Sequence, residues 1–150
     1  LLSSCCVVGW FFGRAAAAAD KKALLADFMK ANYSADSANT FQATGVAGSI
    51  FAGMSGITFD NGTGNTYEVR FPDVLATTGG STVAMNYVGG AGGVAAVQYS
   101  GLFGTGSVPG RIVYMGFGFE TILSAANRNQ IMQAVVNYFN VANVEEWPLY

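Results

Sequence analysis

Apolar and polar positions alternate differently in different parts of the chain. Leu1 to Gly9 is an unbroken run of apolar and small residues in which Val7 and Val8 favour a strand, and such a run suits a strand covered on both faces. Trp10 to Ala19 reads as a connection. Asp20 then offers an N-cap, and Leu24, Leu25, Phe28 and Met29 recur at helical spacing. They predict an amphipathic helix that ends near Tyr33 with Lys30 in its last turn.

From Asn39 to Gly101 short β-prone pieces replace the helical pattern. They are Thr40 to Val46, Ser49 to Met54, Ile57 to Asp60, Thr66 to Phe71, Thr82 to Val88 and Val94 to Ser100. Gly62, Gly64, Gly79, Gly80 and the run Gly89 to Gly93 fall between the pieces, which predicts an antiparallel region. Asn61 to Asn65, "NGTGN", reads as a hairpin turn because Asn-Gly readily supplies positive φ. The glycines from Gly89 to Gly93 read as a flexible connection. No Lys-Ser or Lys-Thr follows them, so they do not make a phosphate loop.

Gly110 and Arg111 open a last strand, "RIVYMGFGF". Ser124 or Asn127 then caps a helix in which Ile131, Met132, Val135, Val136 and Phe139 form one apolar stripe. A strand followed by a helix at each end predicts a layered α/β sheet with flanking helices. The β-rich stretch 39–101 then reads as an antiparallel insertion within a single domain over 1–142, and 143–150 as an exit segment.

Composition narrows the possible partners. The chain has 150 residues, 51% of them hydrophobic and only 11% charged, well below the usual quarter, so much of its surface must be uncharged polar and glycine. Such a surface is common in secreted proteins, and equally in a piece whose apolar faces are covered by other chain. With seven Lys and Arg and a formal net charge of −2, the chain lacks a cationic stripe for phosphate backbones, and nucleic acid is not expected as a partner. No apolar run approaches the ~20 residues that span a bilayer, so no transmembrane segment is expected.

The available chemistry is sparse. There is no histidine, which removes the usual base for a Ser or Cys nucleophile and the commonest zinc ligand. Cys5 and Cys6 are adjacent and point to opposite faces of a strand, which disfavours a disulfide between them. Either is a candidate nucleophile at a strand end, against the plainer reading of a small core residue. Asp60, Asp73 and Glu120 stand out as single carboxylates. The plain readings give Asp60 the start of a turn, Asp73 the cap of a bend after Pro72, and Glu120 the acceptor of backbone N–H groups where a helix begins. Asp60 is also a calcium candidate, because "DNGTGN" is rich in oxygen donors, although the distal Glu of an EF-hand is missing. Asn32-Tyr33-Ser34 and Asn61-Gly62-Thr63 are formal glycosylation acceptors. No cofactor is called for.

Read together, the two ends of the chain resemble a known family. "YMGFGFETI…NRNQIMQAVVNYF", Tyr114 to Phe139, resembles the closing strand and helix of class I glutamine amidotransferase-like domains, where a Phe-His-Pro-Glu motif ends the strand. Phe117, Gly118, Phe119 and Glu120 take those places, so the glutamate is matched and glycine replaces the histidine. "LLSSCCVVGW" is similar to the strand and turn that carry the family's nucleophile, with its flanking glycines missing. The order of segments resembles the degenerate domains of this kind found in secreted multidomain bacterial proteins.

The resemblance implies a flavodoxin-like fold, incomplete at the N-terminus, whose first strands precede Leu1. Cys5, Cys6, Gly118 and Glu120 are then vestiges of a catalytic site. It implies a non-catalytic structural or interaction module, extracellular or on the cell surface, with a protein partner or a homo-oligomeric or filamentous assembly. The alternative it leaves open is a cysteine-dependent hydrolase or amidotransferase completed by a missing segment or partner.

Overall fold

The structure is a computed structural model that describes residues 23–140. The expected strand Leu1 to Gly9, the cap Asp20, both cysteines and the exit segment lie outside the described residues.

The described chain is an antiparallel sheet of seven strands: β1 (Ala31–Ala35), β2 (Gln42–Gly45), β3 (Ile57–Thr58), β4 (Val74–Thr77), β5 (Thr82–Tyr87), β6 (Val94–Gly101) and β7 (Gly110–Met115). Their order is β1-β4-β6-β5-β2-β3, with β7 also paired to β6. A π-helical turn, Leu25–Met29, precedes β1, and helix α1, Ala125–Asn140, follows β7.

The layered flavodoxin-like α/β sheet is therefore corrected. Every strand pair is antiparallel, including the last strand, which the expectation placed in a parallel core. β7 returns directly alongside β6, from Gly101 opposite Gly110 to Ala96 opposite Met115. The antiparallel stretch is accordingly not an insertion into a parallel sheet; it is most of the sheet itself.

The reason β7 reads as a parallel-type strand is visible in its burial. Val113 faces a core containing Phe51, Phe59, Met85, Phe117 and the α1 residues Ile131 and Val135. Ile112 and Tyr114 face a second core with Leu25, Met29, Ala31, Leu75 and Val97. Both faces of this antiparallel strand are covered, so its sequence is apolar without alternation.

Other boundaries shift for local reasons. The first helix ends at Met29 rather than near Tyr33, because Lys30 takes the left-handed conformation (φ 55°) and its N–H closes on the Leu25 carbonyl. The chain then enters β1, where Ala31, Asn32 and Tyr33 pair with Thr77, Ala76 and Leu75. Lys30 is buried with Nζ 5.0 Å from the Tyr99 ring centroid and 5.3 Å from that of Phe103, where a cation is favoured over the π faces.

Ser49 to Met54 forms consecutive turns instead of a strand, tied by Ser49 N–H to Val46 O, Ala52 N–H to Ser49 O and Met54 N–H to Phe51 O. Thr66 to Phe71 is likewise not a strand. "NGTGN" is thus not a hairpin turn but the tip of a longer loop, closed where Val69 N–H donates to Asp60 O at 2.9 Å.

The glycine-rich link between β5 and β6 is held in place rather than free. Ala91 N–H donates to Ala38 O at 2.8 Å, and a Cβ on Gly90, itself at φ 59°, would lie 2.2 Å from that same carbonyl oxygen. Only glycine satisfies both the backbone angle and the close approach.

Candidate functional site

The end of β7 is where the sequence places its most specific motif, and four consecutive residues there have distinct tasks. Phe117 is buried, its ring stacked on Phe59 at 4.5 Å between centroids and 11° between planes, with Tyr87 edge-on to Phe59 and tilted against Phe117. Gly118 is extended (φ −73°, ψ 126°). Phe119–Thr121 then makes a single 3-10 turn, closed by the Thr121 hydroxyl, which donates to Gly118 O at 2.5 Å, and by Ile122 N–H, which donates to Phe119 O.

Helix α1 begins only at Ala125, with Ser124 as its cap: the Ser124 hydroxyl accepts from Asn127 N–H at 3.3 Å. Arg128 reaches back from α1 and donates to the carbonyl oxygens of Ile122 and Leu123, which fixes the helix against the turn.

Glu120 sits inside the 3-10 turn. Its Oε1 accepts a hydrogen bond from the Tyr67 hydroxyl at 2.7 Å, whereas Oε2 is shielded from solvent and has no partner. The expectation that Glu120 accepts backbone N–H groups at a helix start is corrected: its donor is a tyrosine from the 60–69 loop. Burial, followed by the bond to Glu120 and that residue's charge, pushes the Tyr67 hydroxyl up to about 12, so it stays protonated and able to donate at ordinary pH.

Gly118 lies against this pair. A Cβ there would meet Tyr67 Oη at 2.6 Å and both Glu120 carboxylate oxygens at 3.1 Å. Its backbone angles are open to any residue, so a larger side chain there would have to displace the tips of Tyr67 and Glu120. The Tyr67 hydroxyl and the Glu120 carboxylate are the groups that a side chain at Gly118 would meet first.

Asp60 organises the neighbouring loop. Its Oδ1 accepts from the N–H groups of Gly62 at 2.8 Å and Gly64 at 2.9 Å, and its Oδ2 from the N–H and hydroxyl of Thr66 at 3.0 and 2.9 Å. The N–H groups of Gly64 and Thr66 contribute most to holding the carboxyl down at about 2. Both carboxylate oxygens thus face N–H and O–H donors, which is the geometry of a loop anchor. Among the described residues no group of three or more Asp, Glu, Cys or His is placed to hold a metal ion.

Asp73, expected at a bend, instead lies where β4 begins. Its N–H donates to Gly116 O and its carbonyl accepts from the Tyr87 hydroxyl, both at 2.9 Å. Burial, and then the charge of Asp36, pushes its carboxyl up to about 6.

The structure therefore brings Gly118, Glu120 and Tyr67 together and sets Asp60 and Asp73 apart from them in separate roles. Tyr67 is the member that sequence reasoning missed. It lies in a stretch with strand-like alternation, and nothing local marks it as the partner of a residue far along the chain. Among the described residues no helix is long and apolar enough to cross a membrane. No protein-family model matches the chain, and no curated protein matches it.

Proposed function

We propose that the chain is a non-catalytic structural or interaction module of a larger secreted or surface protein. One observation carries this reading: the place where the resembling enzymes hold a histidine is a glycine packed under the Tyr67 hydroxyl and the Glu120 carboxylate. A glutamate engaged by a tyrosine, in a sequence without histidine, lacks the imidazole that would pass a proton to or from a thiol.

The absence of histidine from the whole sequence supports the same reading.

The test is turnover. The purified chain is incubated with glutamine and with a simple aryl ester, alongside the variant carrying Cys5→Ala and Cys6→Ala. The proposal expects the same background rate from both proteins. Hydrolysis by the native chain that disappears in the double variant would instead establish the cysteine-dependent reading.

A further inference from the structure

Asn61-Gly62 is the one place in the sequence where asparagine precedes glycine, and the fold leaves it in the open. Every residue from Asn61 to Glu68 is exposed. Glycine has no side chain to keep its own nitrogen away from the preceding asparagine amide, so this dipeptide is poorly shielded from attack of backbone on side chain.

The reaction is internal and needs only water. The Gly62 nitrogen, once it has lost its proton, bonds to Cγ of Asn61; the bond from Cγ to Nδ2 breaks, and ammonia leaves carrying a proton. Water then opens the succinimide ring at either carbonyl carbon, which leaves aspartate or isoaspartate at position 61.

The structure engages both reacting groups elsewhere. The Gly62 N–H donates to Asp60 Oδ1 at 2.8 Å, a bond to a carboxylate that holds the proton the reaction must remove. The Asn61 amide is turned towards Thr63, its Oδ1 accepting from the Thr63 hydroxyl at 2.6 Å and from the Thr63 N–H at 3.2 Å. Gly62 is held at φ 91°, where a Cβ would lie 3.4 Å from Cβ of Glu68, so its backbone is packed against that side chain as well.

We infer that Asn61 is a self-modification site, converting to aspartate or isoaspartate at a rate gated by the Asp60 carboxylate. While Asp60 holds the Gly62 N–H, Asn61 is preserved; each opening of the loop exposes it. The same carboxylate binds Gly64 and Thr66 and so places Tyr67 against Glu120. Conversion therefore acts back on the loop. Aspartate sets a second negative charge beside Asp60, and isoaspartate adds a methylene to the main chain between Asp60 and Gly62. Either product loosens the cradle that delivers Tyr67.

The experiment is peptide mass mapping of residue 61, with an isoaspartate methylation assay, on the full chain incubated at pH 8, both folded and in urea that unfolds it. The folded chain is expected to convert at least roughly tenfold more slowly than the unfolded chain, the factor that a hydrogen bond to a charged group imposes on opening. Asp60→Ala, kept below its melting temperature, is expected to lose most of that protection. Equal rates in the folded and unfolded native chain would overturn the inference, and so would an Asp60→Ala chain that converts as slowly as the native one.

Should Asp60→Ala fail to fold, Asp60→Asn keeps the acceptor and its shape but not the charge. Residue 61 is then expected to convert severalfold faster than in the native chain, in step with hydrogen exchange of the Gly62 amide, which reports the same opening. A rate unchanged from the native one would refute the gate. Conversion that quickens while the Gly62 amide stays protected would also refute it, since residue 61 would then be modified without the loop opening.

Discussion

The Tyr67 hydroxyl donates to Glu120 Oε1 at 2.7 Å, joining residues 53 positions apart in sequence. Neither partner is fixed by its local surroundings alone. The 60–69 loop is folded by the Asp60 carboxylate, which delivers Tyr67, and the 3-10 turn after β7 delivers Glu120. Gly118 is small because these two meet above it.

Replacing Glu120 by Gln removes a charge from a shielded oxygen that has no partner while leaving an acceptor for Tyr67. Glu120→Gln is expected to fold as stably as the native chain or slightly more so, and Glu120→Ala to lose about 0.5–1 kcal/mol, the net worth of one hydrogen bond whose tyrosine donor can turn to water. Urea unfolding of both variants distinguishes the two outcomes. A large loss in Glu120→Gln would show that the charge itself is required.

Asp60 anchors its loop through ionised oxygens, so its contribution depends on acid. Its carboxyl is lowered from 3.8 to about 2, and the stability it supplies is present above 3.8 and disappears as pH falls through about 2. Asp60→Ala is therefore expected to melt several degrees below the native chain at pH 7, with the gap closing near pH 2. A gap that persists unchanged at that pH would contradict the assignment.

Phe59 is 1% exposed and its ring stacks on Phe117. Truncating it leaves a cavity between β3 and the end of β7. Phe59→Leu is expected to cost about 1–2 kcal/mol, and Phe59→Ala about 3–5 kcal/mol, in denaturant unfolding. Equal small losses in both would mean that the stacked pair is loosely packed.

Ser124 caps α1 through one long hydrogen bond to Asn127 N–H. Ser124→Ala is expected to cost about 0.5–1 kcal/mol, and Ser124→Asp to restore the loss, as read by helix content and melting temperature. A cost near zero would place the start of the helix under the control of Arg128 instead.

Parts of this fold are legible in the sequence and parts are not. Thr82–Tyr87, Val94–Gly101 and Gly110–Met115 announce themselves by β-branched and aromatic content, and α1 by its apolar stripe. β1, "ANYSA", has little β propensity and is a strand only because β4 pairs with it; β4 itself is four residues long. The direction of pairing was not legible, because β7 is buried on both faces and such a run looks the same in a parallel and in an antiparallel sheet. At the candidate site Glu120 was visible as a carboxylate where an apolar run stops. Its partner was not, since a loop closed by Asp60 leaves no periodic trace.

The packing over Gly118 is tested most directly by a double-mutant cycle with Tyr67 in equilibrium unfolding. Gly118→Ala is expected to destabilise the native chain by about 1–2 kcal/mol, because the new methyl group drives the Tyr67 hydroxyl off Glu120, and to cost much less in a Tyr67→Ala background where that space is empty. The same cost in both backgrounds would contradict the account, since it would mean that the penalty does not arise from the Tyr67 hydroxyl.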